Sequence, residues 1–226
     1  MSEQKSGRVA LLAGATGLVG RSCLEGLLAS EVYASVEVIV RRPVGRTHAK
    51  LRERIVDFEK LDEITSEPID DVFITLGTTI KAAGSQDAFY KVDHDYVVAV
   101  AKFGKKAGAT RIALVSSIGV GGKAANFYLR VKEETERDVK ALGYTCVEIF
   151  RPGLLVGERS EKRTGEVLGI AATKVVRGLM VGPLRPYRPI EARDVADAMV
   201  AAMILGEPGT RVRTFAEMRA LLGGIH

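Results

Sequence analysis

Glycines at positions 14, 17 and 20 in the stretch LAGATGLVGR (Leu12–Arg21), directly behind the apolar run VALLA (Val9–Ala13), constrain the fold more than any other feature of this chain. Without a Cβ, a glycine can turn the chain sharply and let another group reach its backbone. Apolar residues then recur at helical spacing from Leu18 to Leu28, so the glycines join a buried strand to a helix. That arrangement suits a nucleotide. The first glycine makes the turn, the second lets the backbone approach a pyrophosphate, and the third lets the helix pack on the strand. The helix N-terminus adds unpaired N–H groups and a partial positive charge. An ordinary strand-to-helix turn can carry the same spacing, but the position after the first strand favours phosphate binding through Gly14, Thr16, Gly17, Leu18 and Val19.

Strand patterns follow at Val36–Val40, Arg54–Asp57, Asp71–Leu76, Arg111–Ser116 and Thr145–Phe150, with helical patterns at Gln86–Ala107 and Tyr128–Leu142. Strands apolar on both faces, alternating with helices, call for a parallel sheet covered on both sides. The expected fold is therefore a doubly wound α/β (Rossmann) fold, in one domain over residues 1–226. After Gly153 the rhythm changes to a helical pattern at Gly165–Met180, the loop GPLRPYRP, a helix at Arg193–Ile204 and a short strand and helix. Residues from about 154 to 210 are expected to form a small cap on the substrate side.

The net charge of +5 would fit nucleic acid or an anionic cofactor, but basic residues interleave with acidic ones, as in KEETERDVK, and no nucleic-acid motif accompanies them. The expectation is a solvated surface with no nucleic-acid partner. No apolar run reaches the roughly 20 residues that span a bilayer, and MSEQKSG lacks the apolar core of a secretory signal. No membrane association and a cytoplasmic location are expected. Cys23 and Cys146 sit in apolar helix and strand patterns, as buried reduced thiols with no disulfide or metal site.

At the end of the second strand an acid would bind the adenosine ribose hydroxyls, but the chain has Arg41 and Arg42. Arginine suits a phosphate, which favours NADP(H) over NAD(H), although either arginine could be an exposed loop charge. Asp57 and Phe58 stand where the adenine edge is expected, and Leu76, Gly77, Thr78 and Thr79 where the nicotinamide ribose is expected. Hydride transfer to a carbonyl also needs a proton donor. A phenol has a pKa of about 10, and a lysine one helical turn away favours its ionised form. Tyr128 and Lys132 have that i, i+4 spacing, and the strand before them ends in Ser116 and Ser117. The pair alone could arise by chance, and such serines also serve as strand-end caps.

GATGLVG, Arg41-Arg42, LGTT, VSS, YLRVK and RPG together resemble a short-chain dehydrogenase/reductase. LGTT followed by VDHDYV, NFYLRVKEE, FRPGLL and RDVADAM resembles the atypical branch that includes the Tat-interacting protein. The resemblance implies Tyr128 as general acid/base, Lys132 as its tuner and a ribose ligand, and Ser117 ahead of Ser116 as ligand of the substrate oxygen. It also implies cofactor contacts at Pro152 and Gly153. Many superfamily members carry a relay asparagine where this chain has Asp93, His94 and Asp95, and His94 reads as a surface or capping residue. The function expected is an NADP(H)-dependent oxidoreductase acting on a small carbonyl or alcohol. The alternative is an NADP(H)-sensing regulator with little catalysis; oligomeric state stays open, a homodimer included.

Overall fold

The apolar runs pair side by side in one sheet. In the computed structural model, which describes residues 7–122, 126–157 and 186–223, the strands are β1 (Arg8–Ala13), β2 (Tyr33–Val40), β3 (Leu51–Ile55), β4 (Asp71–Ile74), β5 (Arg111–Val115), β6 (Cys146–Phe150), β7 (Leu155–Val156), β8 (Ile190–Glu191) and β9 (Gly209–Arg213). Seven of them form a parallel sheet in the order β3-β2-β1-β4-β5-β6-β9. The chain runs outward from β1 in one direction and from β4 in the other, so a crevice opens between the carboxyl ends of these two strands, where ligands bind in such sheets. Ala13 pairs with Ile74 at that end.

Helices cover both faces, as the doubly wound expectation requires. They are α1 (Leu18–Ala29), α2 (Ile80–Ala83), α3 (Gln86–Tyr90), α4 (Tyr96–Lys106), α5 (Phe127–Ala141), α6 (Ala192–Leu205) and α7 (Phe215–Gly223), with a 3₁₀ turn at Phe58–Glu63 and a π turn at Lys91–Asp95. Side chains alternate across each strand. Ala10 and Leu12 therefore join Leu24, Leu27, Met199 and Met203 in one core, while Leu11 and Ala13 join Val97, Phe103 and Val139 in the other. Both cysteines are free and buried. Burial, with the nearby charge of Asp197, pushes the Cys23 thiol far above its ordinary value, so it stays inert.

Three expectations change. The third strand lies at Leu51–Ile55 rather than Arg54–Asp57. Its sequence, LRERI, is that of a charged edge strand, which hides it from a search for apolar runs. The long helix over 86–107 is broken by the π turn, where one extra residue enters the ladder. Of the segment expected as a cap, Ala192–Leu205 packs against α1 and Gly209–Arg213 pairs with β6, so these elements belong to the core layers. The strand pair β7-β8 adjoins them, with Leu155 opposite Ile190. The helical pattern at 165–180 and residues 182–185 of GPLRPYRP lie outside the described residues.

Candidate active site

The glycine loop is shaped by close packing. Gly14 has φ +94°, and a Cβ there would lie 2.6 Å from the Thr75 Oγ1 atom. A Cβ on Gly20 would fall 1.9 Å from the Gly14 carbonyl oxygen, so these two glycines let α1 approach the ends of β1 and β4. Gly17 differs: it is exposed, and its Cβ would meet nothing nearer than that same carbonyl at 3.2 Å. It is the N-cap of α1, with no side-chain cap and no acidic residue in the first turn. The first-turn N–H groups, which have no partner within the helix, are left for an anion.

Facing them is a cavity of about 650 Å³, a size within the range of ligand pockets. Thr16, Gly17, Leu18, Val19 and Arg21 form its α1 wall, Leu76 to Thr79 its floor at the end of β4, and Ser116, Tyr128 and Lys132 its β5 and α5 wall. Asn126 starts α5 by accepting a hydrogen bond from the Leu129 N–H at 2.9 Å, which sets Tyr128 in the first turn. The Tyr128 ring lies 5.5 Å from that of Phe89.

One turn on, the Lys132 ammonium stands 2.7 Å from the Asp93 carboxylate, with side chains 7% and 1% exposed. The other Asp93 oxygen accepts from the Thr78 N–H at 2.8 Å, so the π turn, the end of β4 and α5 meet at this carboxylate. A further turn along, Glu136 is buried and accepts from Ser116 Oγ at 2.6 Å and from Arg151 through Nε at 2.8 Å and Nη2 at 2.6 Å. Burial pushes the Glu136 carboxyl up, and the bonds from Arg151 and Ser116 outweigh it, holding the group below its ordinary 4.5.

Not every expected residue reaches the cavity. Ser116 lines it, while the Ser117 hydroxyl donates to the Ile118 carbonyl at 3.3 Å. Arg41 and Arg42 are exposed beyond the end of β2, outside the cavity wall. Phe58 is buried in the core and packs on Tyr96, and Asp57 caps the 3₁₀ turn by accepting from the Glu59 N–H. The Pro152 carbonyl accepts from the Ile118 N–H at 3.0 Å, and a Cβ on Gly153 would lie 2.9 Å from the Tyr187 carbonyl oxygen, so both pack the strand-end loops together. His94 bridges Asp95 and Asp138 away from the cavity. Arg21 and the Glu136–Arg151 pair were not foreseen; for Glu136 the signal was its place in the stripe 128, 132, 136, 140 along one helix face. Among the described residues no cluster of acids, histidines or cysteines could hold a metal, and no helix is long and apolar enough to cross a membrane.

A family profile described as NAD(P)H-binding matches residues 14–204. Protein HTATIP2 of Rattus norvegicus is 37% identical over 160 residues, 69% of this chain and 66% of its own, just under two thirds of the rat protein. Protein FMP52, mitochondrial, of Eremothecium gossypii is 35% identical over 208 residues, 90% of this chain and 92% of that protein. Among solved structures, MoeE5 in complex with UDP-glucose and NAD superposes with a TM-score of 0.65 at 18% identity, covering 92% of this chain and 79% of that one. The oxidoreductase ylbE from Lactococcus lactis gives 0.60 at 19%, covering 96% and 98%. Identities that low show the fold alone. Several fungal relatives are named as mitochondrial, which overturns the cytoplasmic location expected from the sequence. Glycine loop, cavity and relatives agree: the chain belongs to the NAD(P)H-binding family, in the atypical short-chain dehydrogenase/reductase branch with HTATIP2 and FMP52.

Proposed function

We propose that the protein is an NADP(H)-dependent oxidoreductase that acts on a small carbonyl or alcohol. The observation that carries this reading is the meeting of Tyr128, Lys132 and Ser116 with the α1 N-terminus on one cavity. The residues suit a dinucleotide. The uncapped first turn of α1 offers N–H groups to a pyrophosphate, Thr78, Thr79 and Lys132 offer donors to a ribose, and Arg41 and Arg42 offer guanidinium groups to a 2′-phosphate. Bound there, the nicotinamide supplies or accepts the hydride.

The chain's own residues handle the proton. Tyr128 gives its phenolic proton to a carbonyl oxygen, or takes one from an alcohol as phenolate. Lys132, one helical turn on, is proposed to ease the loss of that proton through its positive charge. The Ser116 hydroxyl donates to Glu136, which leaves its oxygen to accept from a substrate hydroxyl or from Tyr128. Side chains of 154–156 and 165–180 are proposed to select the substrate. The names of the fungal relatives support a mitochondrial site of action.

A screen of aldehydes, ketones and quinones with NADPH, followed at the nicotinamide absorbance, tests the reading. Turnover of at least one carbonyl is expected. Tight NADPH binding with no turnover across the screen would replace it with the nucleotide-sensing alternative.

A further inference from the structure

Single apolar side chains on a surface are ordinary, but two large ones on adjoining loops beside a cavity are not. Leu154 is 60% exposed, directly before Leu155, which lines the cavity, and Tyr187 is 48% exposed on the neighbouring stretch. We propose that Leu154 and Tyr187 form an apolar subsite for the substrate, so that the carbonyl compound the protein takes carries an uncharged alkyl or aryl substituent. The inference rests on the oxidoreductase reading and names its substrate class.

Backbone contacts place the two residues. The Ser116 N–H donates to the Phe150 carbonyl at 2.7 Å and the Ile118 N–H to the Pro152 carbonyl at 3.0 Å, so the chain leaving β6 stays beside the serines that follow β5. A Cβ on Gly153 would fall 2.9 Å from the Tyr187 carbonyl oxygen and 3.0 Å from that of Arg188, so the bare glycine lets the 186–189 stretch close on this loop. The Ile190 N–H then donates to the Leu154 carbonyl at 3.0 Å. Pro186 and Pro189 flank Tyr187 and have fixed φ angles, which limits how far its backbone can move. Leu154 and Tyr187 therefore both border Gly153, one loop away from Ser116.

The basic side chains around this subsite are matched within the protein. Among the described residues, Arg151 pairs with Glu136, Arg213 with Glu148 and Arg219 with Asp194, and the Arg188 guanidinium stands 5.9 Å from the centre of the Phe215 ring. Glu191 is exposed on β8 and opposes a second negative charge. A carboxylate or phosphate on the substrate would have to take a cation from its partner. An alkyl or aryl group would instead cover Leu154 and the Tyr187 ring, and each buried methylene strengthens binding by a factor of about four. Apolar walls beside a few placed polar groups, here Ser116 and Tyr128, are the common make-up of a small-molecule site.

The test uses linear carboxamides from acetamide to hexanamide, which share the planar carbonyl of an aldehyde and do not accept a hydride, titrated by calorimetry into the full chain with NADPH present. Affinity is expected to rise about two- to fourfold per methylene, and this rise should fall by half or more in Leu154→Asn and in Tyr187→Ser. No amide binding, an affinity independent of chain length, tighter binding of a hydroxylated or carboxylate-bearing amide of equal length, or an unaltered rise in both variants would overturn the proposal. Both side chains are exposed, so the substitutions leave the core intact. A variant that loses thermal stability yet keeps the wild-type dependence on chain length would assign its side chain to packing, and would also overturn it. The kcat/KM values of the matching aldehydes should follow the same series. Since the amides need no hydride transfer, an absence of turnover with every aldehyde would refute the oxidoreductase reading while the amide titration still decided the subsite.

Discussion

Glu136 shows how much depends on single side chains around this cavity. It is 1% exposed, takes two bonds from Arg151 and one from Ser116, and so fixes the β5 wall beside Tyr128. Removing one partner of a buried pair leaves the other uncompensated, at a cost of about 3–5 kcal/mol. Arg151 keeps 20% side-chain exposure, so Glu136→Gln is expected at the lower end, about 3 kcal/mol, measured by denaturant unfolding at neutral pH. The folded carboxyl lies below its ordinary 4.5, so its contribution is fully present above 4.5 and is lost as pH falls through the lower folded value. The stability gap between wild type and Glu136→Gln should therefore narrow on acidification below 4.5; a gap independent of pH would refute the assignment. Tyr128 and Lys132 were legible because four residues make about one helical turn. Which of two adjacent serines faces the cavity was not, because that depends on side-chain direction where β5 ends. The Asp93 partnership was hidden too, since a π turn and a third element create it.

At the scale of elements, the turn from β1 into α1 separates folding from binding. Gly14 and Gly20 are required by contact with neighbouring backbone, whereas Gly17 lines the cavity and a Cβ there would be tight, at 3.2 Å from the Gly14 carbonyl oxygen, without overlapping it. Gly17→Val should keep the fold by circular dichroism and lose NADPH affinity at least tenfold, about 1.4 kcal/mol, by calorimetry. Unchanged affinity in a folded variant would reduce the loop to a plain turn. This element was readable because an apolar run, glycines and a helical period occur in sequence. The edge strand β3 was harder to read, because LRERI carries charges, with Arg54 against Glu37, and an apolar-run criterion passes over it; the short strand expected in the tail is β9, where Arg213 lies against Glu148. The extra residue of the π turn leaves the apolar spacing of 86–107 nearly helical, so the break in that helix left no sign.

At the scale of the whole molecule, seven parallel strands in the order β3-β2-β1-β4-β5-β6-β9 bring all their carboxyl ends to one side, and the doubly wound expectation depended only on alternating apolar strands and helices. The extent of the cap was less legible, because α6 and β9 follow a change of rhythm yet pack on the core. Location was misjudged because the absence of a secretory signal does not distinguish cytoplasm from mitochondrion. Cofactor choice belongs to this scale, since Arg41 and Arg42 stand beyond the cavity at the far side of the sheet switch. NADPH is expected to bind at least tenfold more tightly than NADH, and the double variant Arg41→Ala, Arg42→Ala should abolish the preference in paired titrations. Equal affinities in the wild type would remove the arginines from the site. The most direct test of the account as a whole is NADPH-dependent turnover by Tyr128→Phe on a carbonyl found by the screen, with NADPH affinity measured on the same sample. The account predicts a fall in turnover of about 10²–10⁴ with affinity nearly unchanged, because the ring and its packing remain while the proton donor is gone. Wild-type turnover in that variant would contradict it.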